Sequence, residues 1–341
     1  MTSSASFQPV QSPEWYDQRH HDSRGGFQNI WGNDRSQPFF KTMGWLLGHG
    51  FRHQPQVPPT ARVVDPQTLR PTPNGIRVTW LGHATTFVEI GGKRILIDPM
   101  FSERASPVSF AGPRRIPPLP LRVEDLPGVD FVLISHDHYD HLDEQSVKDL
   151  QDQFAPQFLV PLDVGDIVEK WGAERVRELD WWQYLELDSL RFTCTPAQHF
   201  SGRGITNRNG TLWAGWYVQA PDSASVFYSG DTGYATHFRE IRERLGSPDL
   251  AILPIGAYLP RWFMQVVHVD PAEAVQAFLD LEAGHLIPVH WGTFSLADDP
   301  FSEAPQLLKQ AAAAKGVVDR VKLMEIGESV VLGRQAVGDR R

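Results

Sequence analysis

The stretch His136-Asp137-His138-Tyr139-Asp140-His141 packs three imidazoles and two carboxylates into six residues. It follows Ser135 and the apolar run Phe131-Val132-Leu133-Ile134, which reads as a buried strand. Polar groups this dense at a strand end, beside a core, are costly unless something binds them. Neutral imidazole and carboxylate suit borderline-hard divalent metals such as zinc. His136 and His138, one residue apart, can approach one ion from a loop, and Asp140 and His141 can reach a second. The competing reading is a solvated, His-rich loop, which the preceding apolar strand disfavours. A chain that keeps this cluster must fold so that other strand ends converge on it.

Three further residues have the same form, one polar group just past an apolar strand. His199 follows Phe192 to Gln198, Asp231 follows Val226 to Gly230, and His290 follows Leu286 to Val289. Each alone reads as easily as a structural residue. Together with the cluster they make two ligand shells: His136, His138 and His199 for one ion, Asp140, His141 and His290 for another. Asp231 can place one oxygen on each. Such a pair, with ions ~3.5–4 Å apart, lowers the pKa of a shared water towards ~7 and so yields a hydroxide that attacks phosphorus or a carbonyl. Asp140 and Asp231 are the carboxylates expected to take part in catalysis.

From Ile76 onward, short β-type runs alternate with helical ones. Strands are expected at Ile76–Leu81, Thr86–Ile90, Arg94–Ile97 after a Gly91-Gly92 turn, Asp130–Ser135, Arg191–Thr195, Leu212–Gln219, Ser225–Ser229, Leu250–Ile255 and His285–Val289. The last stretch, Val321–Leu332, has β character. Helices are expected at Glu144–Phe154, Val164–Trp171, Thr236–Leu245, Pro271 to about Ala283 with Asp270 as its cap, and Glu303–Lys315. Hairpins followed by alternating strands and helices suggest two packed sheets with helices outside. Residues 1–75 differ: they are rich in Gln, Pro, Gly, Ser and His. We expect an N-terminal extension and Pro-rich linker there, a domain over 76–334 and a tail over 335–341. The segment Phe39–Gly48 could be a short amphipathic helix that packs on the domain or touches a membrane surface.

Composition excludes several classes. One Cys leaves no internal disulfide and no Cys-based zinc knuckle, and a net charge of −9 argues against nucleic-acid binding. No run approaches the length of a membrane span, and Met1–Gln11 has neither the charge nor the apolar stretch of a secretory signal. The expected location is cytoplasmic, or peripheral at a membrane. The first 75 residues carry seven basic against five acidic groups, so the acidic excess lies in the remainder. That leaves contact between the extension and an anionic lipid surface open.

His-x-His-x-Asp-His with downstream His, Asp and His resembles the ligand pattern of the metallo-β-lactamase fold. Further motifs resemble the branch containing N-acyl-phosphatidylethanolamine-hydrolysing phospholipase D. They are Trp80-Leu81-Gly82-His83-Ala84, Asp98-Pro99-Met100-Phe101, Asp180-Trp181-Trp182, Gly230 to Tyr234 and His290 to Phe294. The block Pro254–Met264, followed by His268-Val269-Asp270-Pro271, is the most specific to that branch. The resemblance covers roughly residues 76–332. It implies an α/β, αββα sandwich of two mixed sheets packed face to face with helices on the outer faces. It also implies two Zn2+ ions (with Mn2+ or Fe2+ as alternatives), a phospholipid or other phosphodiester substrate, and a homodimer as a candidate assembly. The implied reaction releases N-acylethanolamine and phosphatidate. Leu259 and Val267 depart from the family pattern, which carries an acid and a Gln there, so polar groups are lost near the expected substrate mouth.

The resemblance matches His268 to a substrate-side His and Arg203 to a phosphate-side Arg. His268, before a helix cap, could protonate a leaving oxygen. Arg203, in a Gly-Arg-Gly loop, could clamp a phosphodiester or be merely solvated. Tyr139 could point into the cleft or pack. His83, on a tight turn, could touch substrate, support a ligand or be buried and hydrogen-bonded. Asp98 could orient a ligand His. Cys194 reads as a small buried hydrophobe, and His20, His21, His49 and His53 as residues without a partner set. Trp45, Trp262 and Phe263 are the aromatics suited to a lipid–water boundary. A lactonase or carboxylic-ester hydrolase, like the ascorbate-phosphate lactonase relatives, is the competing activity for the same site.

Overall fold

The computed structural model describes residues 9–31, 57–69, 75–204, 207–221 and 224–333. Strands β1 (Ile76–Gly82), β2 (Thr85–Ile90), β3 (Lys93–Ile97), β4 (Phe131–Leu133), β5 (Gln157–Pro161), β6 (Val176–Leu179) and β13 (Ser329–Leu332) form one sheet in the order β13-β1-β2-β3-β4-β5-β6. Strands β7 (Tyr184–Leu187), β8 (Leu190–Thr195), β9 (Gly215–Gln219), β10 (Ser225–Tyr228), β11 (Leu250–Pro254) and β12 (His285–Val289) form the other, in the order β12-β11-β10-β9-β8-β7. Each sheet is mixed. In the first, β13, β1, β2 and β3 pair antiparallel and β3 to β6 parallel. In the second, β7 to β10 pair antiparallel and β10 to β12 parallel.

Side chains alternate faces along a strand, and the apolar residues of the first sheet divide accordingly. Val88, Ile95, Ile97, Phe131, Leu133 and Leu159 share one core with Phe192, Cys194, Trp216, Val226 and Tyr228 of the second sheet. Phe87, Leu96, Val132 and Phe158 face the other way, in a core with Val147 and Leu150 of α1 (Glu144–Phe154) and Val168 of α2 (Gly165–Lys170). Beyond the second sheet, Phe227 meets Phe238 of α3 (His237–Leu245) with ring centroids 6.4 Å apart. The short α4 (Arg261–Met264), α5 (Pro271–Asp280) and α6 (Glu303–Ala314) complete the α-helices among the described residues. This is the expected αββα sandwich.

Several expected elements are shorter, for local reasons. β4 stops at Leu133 because the Ser135 N–H donates to the Asp98 carboxylate instead of continuing a ladder. β9 starts at Gly215 because Leu212 and Ala214 hydrogen-bond to Leu162 and Ser135, loop residues next to the first sheet. Within Val321–Leu332 only Ser329–Leu332 is a strand, and Val321 makes an isolated bridge to Leu286. β5, β6 and β7 were not expected from sequence.

The described parts of the N-terminal 75 residues pack on the sandwich. Phe27 is buried in the inter-sheet core, and Val64 and Leu69 in the core under α1. Residues 57–69 run as a strap, with Arg62 bonded to Ile326 and Val64 to Pro120 through backbone. Phe39–Gly48, Trp45, His49, His53 and the tail over 335–341 lie outside the described residues. No helix among the described residues is long and apolar enough to cross a membrane.

Candidate metal centre

The carboxyl ends of β4, β8, β10 and β12 open at one edge of the sandwich and carry His136–His141, His199, Asp231 and His290. The β1–β2 turn adds His83, and Asp98 follows β3. Backbone conformation here is unusual: His83 (φ 51°), Asp98 (φ 41°) and His290 (φ 63°) are left-handed although none is glycine. Such residues cost of order 1–3 kcal/mol each and persist where the surroundings over-determine them. Gly230 (φ 61°) presents Asp231, and a Cβ there would lie 2.6 Å from the Ala214 carbonyl oxygen.

Two groups of donor atoms converge. In the first, His136 Nε2 lies 2.8 Å from His138 Nδ1, which lies 3.2 Å from His199 Nε2. In the second, His141 Nε2 is 3.1 Å from His290 Nε2, and Asp140 Oδ2 is 3.4 and 3.3 Å from these two nitrogens. Asp231 Oδ2 stands between the groups, 3.1 Å from His141 Nε2 and from His290 Nε2 and 3.9 Å from His199 Nε2. The structure thus brings together all seven expected ligands.

The outer nitrogens fix which inner ones carry lone pairs. His141 Nδ1–H donates to Asp98 at 2.7 Å, and His199 Nδ1–H to the Val267 carbonyl at 2.9 Å. Ser135 Oγ donates to Asp98 and so accepts from His136 Nδ1–H at 2.9 Å. His136 and His199 thus turn Nε2 lone pairs towards the centre, and His141 does so once its Nε2 proton is lost. Asp231 Oδ1 is buried and has no hydrogen-bond partner. This donor chemistry fits divalent cations.

Electrostatics agree with the geometry. Burial, reinforced by neighbouring imidazoles, pushes His136 well below its ordinary value, and burial takes His138 to about 4 and His199 to about 3. These rings are neutral at neutral pH, as ligands must be. Burial also opposes charge on His141 and His290, but Asp231 and Asp140 outweigh it, raising His141 well above the usual range and His290 to about 9. Against the same burial, His141 and its neighbours hold Asp140 and Asp231 well below the carboxylate range. The pocket's two carboxylates therefore demand positive charge.

The remaining sequence-level candidates separate. His83 is buried with Nε2 2.9 Å from Asp140 Oδ2 and its ring 4.1 Å from that of His290, so it belongs to the second group. His268 is also buried, with Nδ1 3.9 Å from Asp231 Oδ2. Burial lowers it to about 3, so its neutral ring is a hydrogen-bonding group rather than a stored proton. Tyr139 donates its hydroxyl to the Arg203 carbonyl at 2.8 Å. Arg203 is engaged with the loop rather than the donor cluster. Its Nη1 donates to the carbonyls of Asp137 and Leu142 at 2.7 Å each, and the guanidinium lies 4.0 Å over the Tyr139 ring.

Sequence reasoning missed two sets of contacts. His20 and His21 do have a partner: their Nε2 atoms lie 2.5 and 2.8 Å from the two oxygens of Asp180, which also accepts from the Tyr16 hydroxyl. Asn29 hydrogen-bonds the backbone of His199. The Asp180-Trp181-Trp182 motif marked one half of the first set. Nothing periodic marks the other partners, which lie about 160 or more positions away.

The sequence profile described as a beta-lactamase superfamily domain matches residues 93–291. N-acyl-phosphatidylethanolamine-hydrolyzing phospholipase D 1 of Caenorhabditis elegans is 40% identical over 249 residues, covering 68% of this chain and 68% of the relative. A metal-dependent hydrolase of Methanopyrus kandleri is 31% identical over 258 residues, covering 74% of this chain and 99% of the relative. Among solved structures, the isothiocyanate hydrolase from Delia radicum gut bacteria superimposes with a TM-score of 0.62 at 21% identity, covering 75% of this chain and 99% of that one.

Proposed function

Because this chain belongs to the beta-lactamase superfamily and has the metallo-β-lactamase fold, we propose that it is a metal-dependent hydrolase of phospholipase D type, acting on N-acyl-phosphatidylethanolamine-like phosphodiesters. The observation that carries the reading is the pair of donor groups sharing Asp231 Oδ2. The nematode relative supports the choice of a phosphodiester over a carbonyl substrate.

His136, His138 and His199 would hold one ion, Asp140, His141 and His290 the second, and Asp231 both. Divalent ions there, zinc or else manganese or iron, supply a water of lowered pKa and neutralise charge on the phosphoryl oxygens. The overall step adds water across one phosphodiester linkage. The bond from phosphorus to the N-acylethanolamine oxygen breaks, that oxygen takes a proton, and phosphatidate keeps the water oxygen. His83 holds Asp140 in place through its Nε2. His268 lies beside Asp231 and between His199 and His290, with ring centroids 5.1 and 5.6 Å away, and in this reading it would hydrogen-bond the departing oxygen. Arg203 and Tyr139 brace the loop that carries four of the ligands.

The test combines metal analysis with hydrolysis of N-acylated phosphatidylethanolamine, plain phosphatidylethanolamine and a lactone in mixed micelles. Two ions per chain and preference for the N-acylated lipid are expected. Lactone turnover without phosphodiester turnover sinks the phospholipase reading.

A further inference from the structure

His199 lies four residues beyond the end of β8, where its backbone N–H and C=O have left the ladder. Asn29 takes up both. Its Nδ2 donates to the His199 carbonyl at 2.8 Å, and its Oδ1 accepts from the His199 N–H at 3.1 Å. A carboxamide offers a donor and an acceptor side by side, as a neighbouring strand would. The clamp therefore replaces a missing strand at the residue that closes the first donor group.

Asn29 is itself held on both sides. Upstream, Tyr16, His20 and His21 all converge on the buried Asp180 carboxylate, which also accepts from the Trp181 N–H at 2.7 Å. The His20 ring stacks on Trp181 at 4.2 Å. Phe27 is buried, and its N–H donates to the Asn209 carbonyl at 2.9 Å. The approach is close enough that a Cβ at Gly26 (φ 78°) would lie 2.3 Å from that carbonyl oxygen. Downstream, Trp31 donates to Glu240 at 2.9 Å and stacks on Trp181 at 5.7 Å.

We propose that Asn29, held in place by the anchored residues Tyr16, His20, His21, Phe27 and Trp31, is the positioning residue that sets where His199 presents its Nε2. The inference rests on the reading of His199 as a metal ligand. It goes beyond that reading by giving the segment before the catalytic domain a share in metal affinity.

The experiment measures Zn2+ affinity by competition with a chelator, together with kcat and KM for a soluble diester and the unfolding temperature. It compares full-length wild type, His199→Ala, Asn29→Ala, Asn29→Asp and Gln28→Ala. Asn29→Ala is expected to weaken one Zn2+ site about ten- to hundredfold, in the range seen when groups that orient ligands are lost, and to lower kcat more than it raises KM. Asn29→Asp is isosteric and keeps the acceptor for the His199 N–H, but faces an oxygen against the His199 carbonyl. It is expected to fold and to lose affinity as well. Gln28→Ala should behave as wild type. Wild type that binds no Zn2+, or His199→Ala that keeps both ions, overturns the reading of the site and this inference with it. If His199→Ala loses an ion while either Asn29 variant keeps wild-type affinity and kcat, this inference alone fails. A fall in unfolding temperature without a change in affinity also overturns it, since that is what packing alone would give.

Discussion

Ser135, His141 and Tyr228 all donate to the one carboxylate of Asp98: Ser135 N–H at 2.7 Å, Ser135 Oγ at 2.5 Å, His141 Nδ1 at 2.7 Å and the Tyr228 hydroxyl at 2.5 Å. One buried residue thus orients His141 directly and His136 through Ser135. Asp98→Asn keeps the shape but must turn its NH2 towards groups that are themselves donors. We expect metal affinity to fall about ten- to hundredfold, with the His141 site affected most. Chelator competition on wild type and variant measures it. An unchanged affinity would mean that the imidazoles are held by packing alone. Asp98 was legible in the sequence because it follows a strand end, as the ligands do. Asn29 and His20 were not, because a short polar side chain on an irregular segment, reaching across more than 150 residues, leaves no periodic trace.

At the level of elements, α5 starts where its sequence says it should. The Asp270 carboxylate accepts from the N–H groups of Ala272 and Glu273 at 2.9 Å each, and the Glu273 carboxylate accepts from the Asp270 N–H at 3.0 Å. Arg261 joins this cap to the His268 carbonyl at 2.9 Å, so the cap also fixes the turn that presents His268. Asp270→Ala is expected to cost about 1 kcal/mol, read by urea denaturation, and to lower kcat through His268. β5, β6 and β7 escaped notice because Gln157–Pro161 is short and ends in Pro, and Val176–Leu179 and Tyr184–Leu187 mix charged with apolar residues. Their strand character comes from the neighbours they pair with. The clasp at Asp180 gives an element-scale test with a defined sign. Burial raises its carboxyl, but hydrogen bonds from His20, Tyr16 and His21 outweigh this and hold it below the usual 3.8. The clasp's contribution is then fully present above 3.8 and lost as pH falls through the lowered folded value. The stability gap between wild type and Asp180→Asn should be constant at higher pH and close in acid. A gap that persists into strong acid would show that the ionised carboxylate is not what the clasp relies on.

For the molecule as a whole, the donors come from both sheets. His83, His136, His138, Asp140 and His141 stand on loops of the first, and His199, Asp231 and His290 on loops of the second. A metal pair held there, as proposed, would therefore tie the two sheets together at one edge, while the apolar cores between and outside them contain none of these residues. The two-sheet plan was readable in the sequence because hairpins open the domain and strands then alternate with helices, and the site because four of the apolar runs end in ligand-type residues. The wrapping of residues 9–31 was not, because its few buried groups, Phe27 among them, follow no repeat. This division predicts how the protein answers to chelation. Removing the ions should lower the unfolding temperature but leave far-UV circular dichroism almost unchanged, since the cores persist without them. Linkage sets the scale: free metal at a hundredfold over its dissociation constant stabilises by about 2.7 kcal/mol per site. Asp231→Asn, which removes a carboxylate from between the two donor groups, should lose most of the chelator-sensitive stabilisation. A chelated wild type that melts where the metal-loaded protein does would show that the convergence of these donors is not energetically tied to a cation. Complete loss of secondary structure on chelation would instead make the metal a folding core, against the burial pattern of both sheets.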